Sequence, residues 1–378
     1  MKPSRMKTLP SFTHILTPIV LLAAFLCTTC NDKTNPNTPQ GMPILLPTVT
    51  PLPIGTPDPS TDTLRAYAAQ RGKLIGAAVN NGLVREVNYA EVLAREYNLL
   101  TTENAMKWEF IQPERDQYNW ADADELVNFA MTHEMKVRGH TLIWQQQMPD
   151  WLKYTQWTRE ELLAVMREHI TNVVGRYRGR VLIWDVVNEA VIKDGVINTP
   201  FWSKQLGSDY IDLAFQIAHD TDPDALLFYN DYGAEGMGAK SDEVYELVKG
   251  MIERGIPIDG VGMQFHIELN KLPDLKEVAQ NIKRLGELGL QVHITELDIR
   301  IKGAPTPDQL ELQAQNYREI LNVCLNAPNC TAFVMWGMTD KYSWIPVSNE
   351  GYGSALIFDE EYKPKPAYLA LLDALKIK

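Results

Sequence analysis

Two glutamates close apolar runs in this chain: Glu189 ends WDVVNE and Glu296 lies near the end of HITELD. A pair of carboxylates can divide proton transfer and nucleophilic attack between them when their surroundings separate their protonation states. One stays protonated and donates to a leaving oxygen, while the other is ionised and attacks the carbon being left. The acetal between two sugars breaks by that division of labour. The competing reading is a pair of rim acids bridged to Arg or Lys, and neither basic residue directly follows either glutamate.

Other apolar runs end in the same way. They begin with aliphatics and finish at Glu103-Asn104, His140, Asn188-Glu189, Asn230-Asp231, Gln264 and His266, Glu296 and Asp298, or Trp336. Strand ends often carry a polar residue that caps a following helix, so one such ending means little. The same polarity at the same end of run after run points to a cleft lined by acids, amides and indoles.

The runs themselves are short and rich in β-branched or aromatic residues. They start near Leu74 (LIGAAV), Leu99 (LLTTEN), Lys136 (KVRGHTLIW), Val181 (VLIWDVVNE), Ala225 (ALLFYND), Gly260 (GVGMQFH), Gln291 (QVHITELD) and Ala332 (AFVMWG). Between them lie stretches of helical periodicity, such as 124–133 and 159–177, and Gly72, Gly255 and Gly289 sit where helix C-caps would fall. Eight strand–helix alternations predict a single (β/α)8 TIM barrel, with an open parallel sheet as the alternative. At about 40 residues per unit, Glu189 and Glu296 stand roughly three units apart, on the fourth and seventh strands. Barrel enzymes keep their chemistry at the C-terminal strand ends, where the polar residues of these runs fall.

Composition narrows the partners. The 378 residues carry a net charge of −12 and no basic run stands out, which argues against a nucleic-acid phosphate partner. Four cysteines are too few for a disulfide-built scaffold, and no paired CxxC or HExxH spacing suggests a metal site. At the N-terminus Lys2, Arg5 and Lys7 precede the apolar run 15–27, which as a helix would reach about 20 Å, short of the ~30 Å hydrocarbon layer. Residues 1–30 therefore read as an export signal, with Cys30 a candidate site for a lipid anchor. Residues 31–61 hold Pro36, Pro39, Pro43, Pro47, Pro51, Pro53, Pro57 and Pro59 interleaved with threonine, a composition that predicts a disordered tether. The catalytic domain is expected over 62–378.

Eight segments occur in order between Thr101 and Pro346: TTENAMKWEFIQPE, YNWADAD, RGHTLIWQQQMPDW, IWDVVNEA, YNDYGAEG, GVGMQFH, ITELDIR and WGMTDKYSWIP. With these segments the chain resembles the family-10 glycoside hydrolases, the retaining endo-β-1,4-xylanases, from about residue 65 onward. The resemblance implies that Glu189 is the acid/base and Glu296 the nucleophile. It implies that Asn188 holds a sugar 2-hydroxyl, and that His266, partnered by Asp298, orients the nucleophile. Gln264 and His140 match positions lining the sugar site, and Glu103, Asn104 and Lys107 match those gripping sugars on the non-reducing side. Trp144, Trp336 and Trp344 resemble the aromatic walls, and Gln147 keeps the family's glutamine. Xylan and xylo-oligosaccharides are the implied partners, acted on by a monomer without metal or organic cofactor. Xylan is neutral, so the net charge neither steers nor repels it strongly.

One position departs from that pattern: Gln145 stands where the family commonly has histidine, an amide that can hydrogen-bond but carries no charge. His293 has the wrong parity to point with Glu296 and reads as structural, and Phe265 should point into packing. Trp184 and Trp202 are expected in the core, Trp336 and Trp344 on exposed loops. Cys324 and Cys330 flank a short Pro-containing loop, and the resemblance to an exported family implies a disulfide between them, with free thiols as the alternative. Two other functions share these residues: an endoglucanase or mixed β-glycanase, and a sugar-binding protein without catalysis. The first turns on whether Gln147 and Trp336 crowd the hydroxymethyl group that glucose carries and xylose lacks. The second is disfavoured because binding alone requires neither an acid nor a nucleophile.

Overall fold

The structure is a computed structural model that describes residues 62–191 and 201–376. The export signal, the tether and Cys30 lie outside the described residues. Among the described residues ten strands form: β1 (Leu74–Val79), β2 (Leu99–Thr102), β3 (Lys136–Ile143), β4 (Ile183–Asn188), β5 (Leu226–Asp231), β6 (Gly260–Met263), β7 (His266–Glu268), β8 (Gln291–Lys302), β9 (Cys330–Met335) and β10 (Tyr352–Gly353). Eight of them, β1–β6 with β8 and β9, pair in parallel with their neighbours. Because β9 pairs with both β8 and β1, the ring closes and the open-sheet alternative falls. Every barrel strand coincides with one of the eight runs anticipated from sequence, for a plain reason. Parallel strands buried on both faces must be apolar almost throughout, and that is visible in one chain. The short β7 and β10 pair with the C-terminal half of β8 and extend it past the barrel rim.

Helices cover the outside. The helix Arg159–Tyr177 buries Leu162, Val165, Met166, Ile170, Val173 and Val174, the three-and-four spacing of one face. Its start is a capping box between Thr158 and Glu161, and Thr306 with Gln309 caps Pro307–Asn326 in the same way. Cys324, in the last turn of that second helix, is joined to Cys330 at the start of β9 by a disulfide. Among the described residues no helix is long and apolar enough to cross a membrane.

Inside the barrel Leu99, Ile183, Phe228, Ala332 and Val334 form an apolar cluster. Further along the strands the filling turns polar. Arg138, fully buried, grips both oxygens of Asp185, and its Nη1 lies 2.9 Å from His293 Nδ1. A buried cation is costly unless its donors are matched, and here a carboxylate, a ring nitrogen and the face of Phe228 meet it. Two strand glycines make room for side chains, Gly139 for Trp184 on the outer face of the barrel and Gly262 for Asn230 inside it. A Cβ on Gly139 would lie 2.2 Å from the Trp184 ring, and one on Gly262 would lie 2.1 Å from Asn230 Oδ1. The second vacancy lets Asn230 turn inward toward the site.

Candidate active site

Glu189 follows the last residue of β4, and its N–H donates to the carbonyl of Asn230 on the neighbouring strand at 2.9 Å. Its carboxylate accepts from Trp144 Nε1 at 2.9 Å through Oε2 and from Gln264 Nε2 at 3.0 Å through Oε1. Glu296, on β8, accepts from Asn230 Nδ2 at 2.7 Å and faces His266 Nε2 at 3.0 Å. Asn188 joins the two halves: its Oδ1 accepts from Asn230 at 2.9 Å and from Gln264 at 3.4 Å. Thr295 Oγ1 donates to Asn230 Oδ1 at 2.7 Å, which leaves the Asn230 NH2 for the acceptors. The two carboxylates are thus tied by one line of amides running Glu189, Gln264, Asn188, Asn230, Glu296. Among the described residues neither forms an ion pair with Arg or Lys, so the rim-acid reading fails.

Their electrostatic surroundings are opposite. Burial pushes the Glu189 carboxyl up and the charges of Glu296 and Asp231 add to this, against smaller opposing hydrogen bonds from Gln264 and Trp144. Burial would raise Glu296 as well, but the hydrogen bond from His266 and the charges of His140 and His266 outweigh it and hold Glu296 below its ordinary value. His266 loses by burial and gains more from Asp298, 2.9 Å from its Nδ1, and from Glu296, so its pKa rises to about 10. The imidazole is therefore a cation between two carboxylates at neutral pH. Glu103 is pushed up to about 7, by burial first and by Glu296, with Lys107 and Asn104 opposing.

The remaining residues expected from sequence gather around this pair. Lys107 Nζ donates to Asn104 Oδ1 at 2.9 Å and stands 5.2 Å from the Trp144 ring centre and 5.9 Å from that of Trp336. Glu103 accepts from Asn80 at 3.3 Å and from Asn104 at 3.4 Å. His140 packs edge-on against Trp336 with ring centres 5.1 Å apart, and its Nδ1 lies 3.0 Å from Asp185. Trp344 is half-buried, lies 5.0 Å from the His266 ring and donates to Asp298 at 2.8 Å. Gln147 sits on the loop after β3 with a left-handed backbone, and its carbonyl accepts from Glu109 N–H; its side chain takes no part in the hydrogen-bond line between the carboxylates. Among the described residues no group of three or more His, Cys, Asp and Glu is placed to hold a metal ion.

Several details differ from the sequence reading. Trp336 is buried, at 7% exposure, because it packs against both His140 and His266. His293 has the structural role anticipated, hydrogen-bonded to Arg138 and Thr331, but simple alternation is not the reason. A register shift between Ile294 and Leu297 breaks the parity of β8, so the consecutive Thr295 and Glu296 both reach Asn230. Beside Gln145, it is Gln146 that brings an amide to within 3.5 Å of Glu189. Trp184, Trp202 and Phe265 are fully buried, and Trp202 Nε1 also donates to the carbonyl of Trp144.

Sequence reasoning placed Asn230 at the polar end of the fifth run without giving it a role, and missed Asp185, Arg138 and Gln146 as site residues. Asn230 carried a signal, since it ends the fifth run beside Asp231. Asp185 carried another, an acid in the middle of an otherwise apolar strand. Arg138 carried the matching signal, a cation inside the third run, and Gln146 carried none.

Comparison with known proteins agrees with this architecture. The model of glycosyl hydrolase family 10 matches residues 63–374. Endo-1,4-beta-xylanase B of Thermotoga neapolitana is 44% identical over 319 residues, covering 83% of this chain and 92% of that protein. Endo-1,4-beta-xylanase 1 of Humicola insolens is 38% identical over 322 residues, covering 84% and 75%. Among solved structures, xylanase 10B from Thermotoga petrophila RKU-1 in complex with xylobiose superposes with a TM-score of 0.81 at 44% identity, covering 83% of this chain and 97% of that one. Native xylanase 10B from Thermotoga maritima gives the same TM-score at 45% identity, covering 83% and 98%. With a closed barrel, a polar cleft at its C-terminal rim and a family match across nearly all the described residues, the chain belongs to glycosyl hydrolase family 10.

Proposed function

We propose that the chain is an endo-1,4-β-xylanase that hydrolyses internal xylosidic bonds by double displacement with retention of configuration. Glu189 is the general acid/base and Glu296 the nucleophile. The observation that carries the reading is the opposite wiring of the two carboxylates. Among the described residues no cation is bonded to Glu189, and burial raises its pKa, whereas Glu296 is bonded by the His266 cation and its pKa is lowered. Relatives named as xylanases, and one solved with xylobiose, support xylan as substrate.

In the first step Glu296 attacks the anomeric carbon while Glu189 protonates the departing oxygen, through an oxocarbenium-like transition state. Asn188 accepts through Oδ1, which leaves its NH2 to hold the sugar 2-hydroxyl, a contact that strengthens in that transition state. Glu189, now ionised, then takes a proton from water, which attacks the same carbon and releases Glu296. Trp144 and Trp344, both partly exposed, offer flat faces to the C–H surfaces of the sugar rings. A retaining pair is expected about 5–5.5 Å apart.

The test separates the two roles. Glu189→Ala loses xylan hydrolysis but regains turnover of activated aryl glycosides with azide, giving a β-glycosyl azide; Glu296→Ala is not rescued to that product. Absence of β-glycosyl azide from the Glu189 variant moves the acid/base elsewhere.

The N-terminal composition supports export, with the barrel tethered through residues 31–61 and an anchor at Cys30. Radiolabelled palmitate incorporated by the full chain and lost in Cys30→Ser tests the anchor.

A further inference from the structure

Glu189 has φ +57°, in the left-handed region that side chains with a Cβ avoid, and such a conformation persists only where neighbours over-determine it. The amides of Ala190 and Val191 both donate to Tyr229 Oη at 3.1 Å, and Val191 N–H also reaches Asp231 Oδ2 at 3.3 Å. The Tyr229 hydroxyl in turn donates to that same Oδ2. Asp231 Oδ1 takes Tyr232 N–H at 2.9 Å and lies 2.8 Å from Lys240 Nζ. Tyr229 and Asp231 have no exposure and Lys240 has 5%, so a dry ion pair lies next to the backbone that carries Glu189.

A buried ion pair is a poor way to gain stability, since apolar side chains of similar volume do as well or better. What it supplies that they cannot is a field and a fixed set of acceptors. We propose that Tyr229, Asp231 and Lys240 form a positioning unit for the acid/base, clamping the backbone on its C-terminal side and setting the negative charge its carboxyl feels. This rests on Glu189 being the acid/base. None of the three touches the reacting atoms. The clamp holds the carboxyl toward Trp144 and Gln264, and the Asp231 charge opposes ionisation of Glu189 before the first proton transfer.

The other charged or titratable groups acting on Glu189 are Glu296 from β8, Lys107 from the loop after β2, and Tyr232 beside Asp231. Glu296 and Lys107 are untouched by substitution within the unit. Tyr232 has Lys240 Nζ 3.4 Å from its ring centre, but burial raises its phenol above its ordinary pKa of 10, so it stays neutral over the pH range read and the sign of the effect belongs to the unit. Asp231→Asn removes an anion and leaves the Lys240 cation unbalanced, and both changes favour ionised Glu189. Lys240→Gln removes the cation but keeps a hydrogen-bond donor beside Asp231, and has the opposite effect.

The experiment is the pH dependence of kcat/KM on an aryl β-xylobioside for the full chain and these two variants. Expected is an alkaline limb displaced downward by about half to one pH unit in Asp231→Asn and upward in Lys240→Gln, with the acidic limb of Glu296 in place. A limb unmoved in Asp231→Asn, or displaced the same way in both, overturns the proposal, because a merely structural role gives no opposite signs. Should Asp231→Asn fail to fold, Lys240→Gln alone decides, and no upward displacement overturns it. Tyr229→Phe keeps the charges and loses the hydroxyl, so kcat falls about tenfold with KM held; an unchanged kcat overturns the clamp. Azide rescue of Glu189→Ala, run in parallel, keeps failure of the unit distinct from failure of the acid/base assignment.

Discussion

His266 Nε2 lies 3.0 Å from Glu296 Oε2, with Asp298 on the far side of the ring holding the imidazole as a cation. This pairing keeps a buried carboxylate ionised, and its removal is the sharpest test of the nucleophile. In His266→Asn the cation is gone, so burial dominates and the Glu296 pKa rises. Since the nucleophile must be ionised, the acidic limb of kcat/KM moves to higher pH. We expect kcat to fall by about 10²–10³, the cost of losing one preorganised charged partner. An acidic limb at its wild-type position would remove His266 from this role.

The same pairing makes stability depend on pH. The folded-state pKa of His266 is about 10, against about 6.5 for a free imidazole. The folded chain therefore holds a proton the unfolded chain has released, so the stabilisation is complete below pH 6.5 and lost as pH rises through 10. Urea midpoints between pH 6 and 10 should fall, by up to about 1.4 kcal/mol per pH unit from this group. In His266→Asn the fall should be shallower, and equal slopes would contradict the assignment.

Retention is checked directly. NMR of early xylan hydrolysis should show the β-anomer first, with the α-anomer arising by mutarotation. A 2-fluoro-substituted β-xyloside with a good leaving group should label the protein once, and peptide mass spectrometry should place the label on Glu296. First-formed α-product would refute double displacement.

The disulfide lies at the other end of the barrel, where Cys330 starts β9. Its closed loop is short, so the constraint on the unfolded chain is modest. Cys324→Ser should lower stability by about 2 kcal/mol in chemical denaturation. Turnover at 25 °C should stay within twofold, because the site sits at the opposite strand ends. A large loss of kcat in a folded variant would contradict that separation.

The ring of strands was legible in sequence because two-sided burial demands unbroken apolar runs, and their polar ends marked the catalytic rim. Glu189, Glu296, Gln264 and His266 stood out individually by type and position. The links among them were not legible. Arg138 meets Asp185 across 47 residues of chain and His293 across 155, and no local pattern encodes such pairs. Nor could alternation place Glu296, since the register shift in β8 exists only where that strand meets β9. Trp336, expected on an exposed loop, is buried because two histidines from distant strands close over it. The chain by itself determined which groups line the barrel mouth, through burial and periodicity. The tertiary structure decided which carboxyl has its pKa raised and which lowered, because that depends on the charges and donors that only closure of the barrel brings within a few ångströms.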